Sequence, residues 1–397
     1  MGVNTNTSPA MVTQTYLLPN LLALFPKKPG GSISPHFKEA YDGYNEWVKC
    51  TIGYFFSVEV YNAEMPLLAA LAWPLASEQE LRAILDYMTA SFMLEEMTDR
   101  GSSAKALKNS QIWIQTLSKG QPDTASRHPF IKLLSKEMVA RMKAAVDPFH
   151  WPQFISANVE FAKTTIREAL DREASQGVQT VRDLQSYMIT RRESIGTRPC
   201  LVLMRSTRRL YIPDQVLEHE VVAEMENTAL DMVYIANDIY SFKKEQGDNG
   251  ALNNIITVIQ KDPDTSHLDL QGSIDYAGRL FKAALDNFES CRRRLPSIDS
   301  DMDKYLSAYA DGLMDWVVGN IEWSVVNCRY KVFCNDSDRR SNVIRLKQRS
   351  VPPSLSPLLC SILLVVFIVA YCYGFTTQLL TRLPYYTSHS FSFPNHF

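Results

Sequence analysis

The sequence contains 397 residues, of which 46% are hydrophobic and 21% charged; this composition supports a large buried core and excludes wholesale disorder. Lys and Arg number 41 against 43 Asp and Glu, so a net charge of -2 offers no basic excess for nucleic acid. The 16 glycines fall below the usual share of about 7%, which disfavours turn-rich all-β folds. Seven dispersed cysteines without a CxxC pair indicate a reducing compartment, and the N-terminus shows no signal-peptide pattern.

Helical periodicity dominates the chain from residue 36 to about residue 329. Apolar residues recur there at helical spacing, with short breaks that contain Pro, Gly or Asp. Residues 1–14 are polar and predict a disordered N-terminus, and residues 15–35 mix Leu with Pro and Gly and predict an irregular segment on the core. No sustained alternation predicts a strand. The prediction is therefore an all-α, single-domain bundle of roughly ten helices.

The segment before residue 100 predicts a helix whose apolar face ends in carboxylates. An apolar stripe through Met88 and Phe92 continues into Glu95, Glu96 and Asp99. Glu95 and Asp99 are four residues apart and share a face, so their charges repel unless a cation or solvent lies between them. A metal site and an ordinary charged helix end both fit this pattern.

A second predicted helix, residues 227–245, changes from apolar to polar along one face. Asn237, Ser241 and Glu245 follow one another at intervals of four, so each turns only about 40° from the last. Amide, hydroxyl and carboxylate oxygens suit a hard cation such as Mg²⁺, and burying them without a partner is costly. The alternative is a solvated polar helix end.

Together the two helices predict oxygen ligands that face each other across a cavity able to hold Mg²⁺ ions and a diphosphate. Asn237–Glu245, NDIYSFKKE, resembles the second metal motif of the class I terpene cyclases, ND-x-x-S-x-x-x-E. Glu95–Asp99, EEMTD, resembles their first motif, D-E-x-x-D, with Glu95 in place of the usual Asp and its carboxylate displaced by one methylene. Segments such as LPNLLALFP resemble the fungal, microbial-type sesquiterpene synthases, and the resemblance covers residues 16–330.

The resemblance also implies roles for residues outside the two motifs. The segment 191–196, RRESIG, resembles the pyrophosphate-sensing segment, so Gly196 would lie near a helix break close to the substrate carbons. Phe92, one turn before the first motif, is a candidate wall residue, although core packing explains it equally well. The implied catalytic and diphosphate-binding residues are Arg191, Lys244, Arg329 and Tyr330, and the implied metal ligands are Glu95, Glu96, Asp99, Asn237, Ser241 and Glu245.

The family resemblance implies a class I terpenoid synthase fold with a central cavity, and a lyase that converts farnesyl diphosphate to a sesquiterpene with three Mg²⁺ ions. One alternative is a chain-elongating isoprenyl diphosphate transferase, against which the Asn/Ser/Glu motif argues because such enzymes normally carry two aspartate-rich motifs. Another alternative is a non-catalytic, membrane-tethered protein related to the cyclases, which Glu95 and the unusual C-terminal tail would fit.

The composition changes near the end of the chain, so we predict that the synthase domain covers residues 15–335. We predict a basic, Pro-containing linker at residues 336–357 and a transmembrane segment at residues 358–375. A tail at residues 376–397 would follow this segment. The uncharged run approaches the length of about 20 apolar residues that spans a bilayer. Its basic N-terminal flank would keep the domain on the cytosolic side, so the expected location is cytoplasmic or membrane-anchored. A buried core segment and a translated intron are the alternatives.

Overall fold

Helices make up most of the structure, a computed structural model that describes residues 14–25, 33–52, 60–99, 101–119, 134, 136–174, 182–248 and 251–346. The helices are α1 (Phe37–Ile52), α2 (Met65–Ala72), α3 (Glu78–Asp99), α4 (Ser103–Lys119), α5 (Lys136–Ala145), α6 (Trp151–Ala174), α7 (Leu184–Ser194), α8 (Arg198–Thr207), α9 (Asp214–Leu217), α10 (Glu220–Asp248), α11 (Ile255–Lys261), α12 (Leu270–Arg293), α13 (Ser300–Val326) and α14 (Asp336–Ser341). A 3-10 helix (Leu21–Leu24) and two strands, β1 (Gln14–Leu17) and β2 (Val343–Leu346), complete the described elements. The predicted all-α fold class is confirmed.

Polar side chains begin several of these helices. Asp183, Asn254, Asp269 and Asp299 each accept a hydrogen bond from a backbone N–H in the first turn of the helix that follows. These bonds satisfy amide groups that have no partner within the helix. The local sequence therefore defines where α7, α11, α12 and α13 start.

Helix α10 lies at the centre of the bundle and packs against α12 and α13. Every residue from 228 to 236 is buried, because this part of the helix is apolar on nearly all sides. One charged member of that run, Asp231, is paired with Arg192 at 2.6 Å. The polar half of α10, from Asn237 onward, follows this buried run and leads to the cavity described below.

A sharp break separates α7 from α8. Gly196 lies in the break with φ at +70°, a backbone conformation that glycine adopts without strain. Pro199 lies in the first turn of α8, where its missing N–H costs no hydrogen bond. The break therefore turns the chain sharply beside the cavity.

The two strands join the first and last described segments of the chain. They pair antiparallel, with Tyr16 opposite Ile344, and these side chains are only 4% and 1% exposed. The ring of Tyr16 packs edge-on against Phe242 of α10 at 6.1 Å between centroids. The Leu18 N–H also donates to the Asn342 carbonyl at 2.9 Å. The strand pair therefore lies against the polar half of α10.

The two strands include residues that the sequence analysis assigned to segments outside the synthase domain. Gln14 belongs to β1, although the prediction placed residues 1–14 in a disordered segment, and α14 and β2 occupy the first part of the predicted linker, 336–357. Because β2 pairs with β1, the described residues 336–346 pack with the bundle, and the limits of the synthase domain stay a prediction. Strands of four residues are too short to give a recognisable alternation, which is why the sequence predicted none.

The expected membrane association is corrected. In the part of the chain that the structure describes, no helix is long and apolar enough to cross a bilayer. The predicted transmembrane segment, 358–375, lies outside the described residues, as does the predicted tail, 376–397. The expectation of a membrane-spanning helix is therefore corrected for the residues that the structure describes.

Replacing Ile344 with Ala tests whether β2 is part of the domain. Deleting most of a fully buried side chain leaves a cavity, so we expect the free energy of unfolding to fall by about 2–4 kcal/mol. Thr15→Ala, at an exposed position of the partner strand, should change it by less than about 0.5 kcal/mol. Chemical denaturation of both variants is the measurement, and equal stabilities would show that the strand pair contributes nothing.

Candidate active site

A cavity of about 560 Å³ lies inside the bundle, beside the helix break. Helices α3, α6, α7, α10 and α13 all contribute side chains to its wall, as does the turn after α13. The predicted site residues that line it are Phe92, Glu95, Glu96, Arg191, Gly196, Asn237, Lys244, Glu245, Arg329 and Tyr330. Residues from opposite ends of the chain therefore meet in one site.

The second motif presents its oxygen atoms along one side of α10. Asn237 and Glu245 line the cavity, and Ser241 lies buried between them with 1% exposure. The Ser241 hydroxyl has no well-formed hydrogen bond within the described part of the chain, although Glu245 lies close to it. The Asn254 side-chain amide donates to Glu245 Oε2 at 3.1 Å and so orients that carboxylate. Burial and the nearby charge of Asp238 raise the pKa of Glu245.

Arg191 is held in the cavity wall by the fully buried carboxylate of Asp238. Arg191 Nη2 donates to Asp238 Oδ1 at 3.1 Å and to Asn237 Oδ1 at 3.2 Å. The Tyr187 hydroxyl and the Ile255 backbone N–H also donate to Asp238. Burial disfavours the charge of Arg191, but Asp238 and Tyr187 together raise its pKa well above the usual value. The guanidinium therefore stays charged and fixed in orientation.

Arg329 and Tyr330 reach the cavity from the turn after α13. Asn237 Nδ2 donates to Tyr330 Oη at 2.8 Å, so the phenol touches the second motif directly. Burial raises the pKa of Tyr330 to about 12, and the group is thus protonated near neutral pH. Arg329 donates to the carboxylate of Glu96, and this ion pair joins the turn to the first motif.

The first motif shows a different arrangement for each of its acids. Glu96 pairs with Arg329, whereas Glu95 Oε1 lies 2.9 Å from the point that a Cβ on Gly196 would occupy. Asp99 ends α3, and its side chain lies outside the described part of the structure. The guanidinium of Arg329 sits 4.5 Å from the centroid of the Phe92 ring. The face of Phe92 is therefore covered by a cation from the protein itself.

The donor set fits a hard divalent cation. Asn237, Ser241 and Glu245 offer amide, hydroxyl and carboxylate oxygens on one face, and the buried Ser241 oxygen lacks a well-formed hydrogen bond within the described residues. No three His, Cys, Asp or Glu side chains gather around a single point in the described ranges. Side-chain amide and hydroxyl oxygens would therefore have to share in holding a metal ion.

Apolar side chains make up much of the remaining wall. Trp316, Phe161 and Met88 line the cavity together with Val233. Trp316 packs edge-on against Trp73 at 5.0 Å between ring centroids, which fixes the plane of its indole. A bound hydrocarbon chain would thus contact rings and aliphatic groups with little freedom to move.

Three polar residues of the site were not assigned a role from the sequence. Asp238 accepts a hydrogen bond from Arg191, and Asn254 donates one to Glu245. Glu168 lines the cavity from α6, and its charge contributes to the raised pKa of Arg191. Asp238 was visible inside the second motif, since it follows Asn237 directly. The sequence around Glu168 looks like an ordinary solvated helix face and carries no comparable signal.

Comparison with known proteins agrees with this geometry. Residues 86–287 match the family described as terpene synthase family 2, C-terminal metal binding. Sesquiterpene synthase 1 from Postia placenta is 30% identical over 288 residues, which cover 71% of this chain and 80% of that protein. Delta(6)-protoilludene synthase from Armillaria gallica is 26% identical, over 80% of this chain and 90% of that protein.

Solved structures show the same fold. The crystal structure of a-eudesmol synthase superimposes with a TM-score of 0.64 at 21% identity, covering 74% of this chain and 96% of that one. Germacradien-4-ol synthase from Streptomyces citricolor gives a TM-score of 0.63 at 17% identity, with coverage of 76% and 96%. The fold and the site define a class I terpene cyclase. The chain belongs to terpene synthase family 2, among the fungal sesquiterpene synthases, and the two alternative functions are not favoured.

Gly196→Ala should destabilise the protein by about 1–3 kcal/mol, because an L side chain is strained at positive φ and the new methyl would meet Glu95 and Phe161. Gly247→Ala is the matched control, since nothing lies within 4 Å of its added Cβ and it occupies a helix. There Ala should leave stability unchanged or raise it by about 0.5–1 kcal/mol. Thermal and chemical denaturation compare the two, and equal effects would contradict the steric argument.

Proposed function

We propose that this sesquiterpene synthase acts on farnesyl diphosphate, ionising it with Mg²⁺ and guiding the resulting cation to a cyclic sesquiterpene. One observation carries the proposal: side chains of both motifs, three cationic side chains and an apolar wall line a single cavity. The family description supports dependence on a metal ion, and the names of the relatives support a fifteen-carbon prenyl substrate. Three Mg²⁺ ions per site remain part of the proposal.

Four side chains would bind the diphosphate. Arg191, Lys244 and Arg329 would donate charge-assisted hydrogen bonds, and the protonated phenol of Tyr330 would add a neutral one. Arg191 is already oriented by Asp238, so its donors need little rearrangement as negative charge develops on the leaving group. Donors fixed in this way stabilise the departing diphosphate more than they stabilise the intact substrate.

The proposed metal ligands are divided between two helices. Asn237, Ser241 and Glu245 would hold Mg²⁺ on one side of the cavity, and Glu95, Glu96 and Asp99 on the other. Bound Mg²⁺ neutralises the charge of a leaving diphosphate. Glu96 would have to exchange its pairing with Arg329 for the cation, which would release the guanidinium toward the diphosphate.

The apolar wall would control the fate of the allylic cation. Trp316, Phe161 and Phe92 line the cavity with aromatic surface, and such rings attract cations, although Arg329 already covers one face of Phe92. Exclusion of water by the aliphatic side chains would prevent capture of the cation as an alcohol. Diphosphate held by Arg191 and Tyr330 is the proposed acceptor of the final proton.

The five cysteines of the described ranges are free, which supports the expected cytoplasmic location.

Incubation of the full-length protein with farnesyl diphosphate and Mg²⁺, followed by gas chromatography of the volatile products, tests this function. Asn237→Ala or Glu245→Gln should lower turnover by at least about a hundredfold with an unchanged circular dichroism spectrum, because each removes a metal ligand. Glu218→Gln, an exposed change outside the cavity wall, is the control. Normal turnover and normal Mg²⁺ dependence in both site variants would disprove the metal assignment.

The first motif is tested by Glu95→Asp. This change restores the residue usual at that position and withdraws the carboxylate from Gly196, so we expect turnover at or above the wild-type rate. Glu96→Ala should lower turnover or broaden the product mixture, because it removes both a proposed ligand and the partner of Arg329. Product analysis at several Mg²⁺ concentrations is the measurement. Loss of activity in Glu95→Asp would mean that the motif has been aligned in the wrong register.

A further inference from the structure

Two adjacent lysines near the end of α10 face different surroundings. Lys244 lines the cavity, whereas Lys243 points to the segment that follows Tyr330. Lys243 Nζ donates to the backbone carbonyls of Lys331 and Val332, each at 3.0 Å, and lies 3.3 Å from Cys334 Sγ. The ammonium group therefore directs its three donors at one short stretch of chain.

These contacts differ from those of an ordinary surface lysine. The acceptors are neutral backbone oxygens and a sulfur, so the interaction depends on their position instead of on an opposite charge. Lys331 has φ at +45°, a conformation that is uncommon for any residue other than glycine. The charge-assisted bonds to two consecutive carbonyls stabilise this unfavourable turn. Lys243 therefore supports a conformation that the backbone would not adopt readily by itself.

The turn lies next to the cavity wall. Arg329 and Tyr330 come directly before Lys331, and both line the cavity. On the other side, the Tyr330 N–H donates to Asn327 Oδ1 at 2.8 Å, which ties the pair to the end of α13. The segment is therefore fastened on both sides of the two residues that reach into the site. A shift of the turn would move the phenol and the guanidinium by a similar amount.

We propose that Lys243 is a positioning residue: it holds the turn at residues 331–334 against α10 and so fixes Arg329 and Tyr330 over the cavity. The same helix then carries both the second metal motif and the anchor of the diphosphate-binding pair. That these residues meet a diphosphate rests on the proposed function, whereas the anchoring of the turn does not. Lys243 itself is not among the residues that line the cavity.

Lys243→Met removes the ammonium group and keeps the length of the stem, and Lys243→Arg restores a cation with several donors. Lys282→Met is the matched control, because Lys282 is exposed and pairs with Asp286 on its own helix. Hydrogen exchange of the ligand-free proteins reports the turn directly and does not require activity. Calorimetry with inorganic pyrophosphate and Mg²⁺ reports the binding pair, and the KM for farnesyl diphosphate reports the substrate.

In Lys243→Met we expect exchange at residues 331–334 to accelerate about tenfold, the factor that corresponds to a loss of about 1.4 kcal/mol. Pyrophosphate affinity should weaken by a similar factor and KM should rise, while the thermal midpoint stays near that of Lys282→Met. Lys243→Arg should recover at least half of each change. Lys243→Met should weaken pyrophosphate binding less when it is introduced into Arg329→Gln than when it is introduced into the wild type. The reason is that Lys243 acts on the ligand through Arg329, which is already missing in that variant.

Unchanged exchange and unchanged pyrophosphate affinity in folded Lys243→Met would overturn the proposal. An equal loss of pyrophosphate affinity in the wild-type and Arg329→Gln backgrounds would also overturn it. Such a result would mean that Lys243 supports the stability of the protein in general and does not act through Arg329. If Lys243→Met does not fold, Lys243→Gln provides the same comparison with a shorter donor. A wild-type protein that fails to turn over farnesyl diphosphate would refute the proposed function, and hydrogen exchange would still decide the role of Lys243.

Discussion

The buried carboxylate of Asp238 is the constraint on which the site depends. It receives hydrogen bonds from Arg191 and Tyr187 on α7 and from the backbone N–H of Ile255 at the start of α11. A carboxylate with no exposed surface is tolerated only when its oxygen atoms are satisfied, and removal of one partner from such a pair typically costs about 3–5 kcal/mol. Three helices are therefore held in one relative position around a single side chain. Asn237, its neighbour in the chain, accepts a hydrogen bond from the same Arg191 guanidinium.

The polar groups of the cavity are paired with each other across its walls. Glu96 pairs with Arg329, and Asn237 bonds both Arg191 and Tyr330. Groups that would hold cations thus lie against groups that would hold an anion. Binding of a metal diphosphate would replace these pairs: the acidic groups would contact the metal ions, and the basic groups would contact the diphosphate. Few charged groups would therefore lose a partner or become exposed to water during binding. This arrangement keeps a charged cavity stable in the absence of a ligand.

Much of this site could be predicted from helical spacing. Asn237, Ser241 and Glu245 share one face because the helix repeats every 3.6 residues, and the structure places two of them on the cavity wall and buries the third between them. Spacing could not reveal the pairing of Glu96 with Arg329, since those residues are far apart in the chain. Nor could it show that Arg329 covers the ring of Phe92, or that the strand of Tyr16 pairs with that of Ile344. Contacts of this kind depend on how the helices pack, and no local pattern encodes them.

The strand pair has a consequence for the order in which the domain forms during synthesis. Tyr16 is among the first described residues to leave the ribosome, but its partner Ile344 is made only after the last long helix, α13. Until then the apolar face of β1 has no partner strand, and the turn that carries Arg329 and Tyr330 does not yet exist. Nascent chains grow by about 5–20 residues per second, so β1 waits many seconds in an incomplete bundle. Arg329 and Tyr330 therefore join the cavity wall, and β1 gains its partner strand, only when the last described part of the domain has been made.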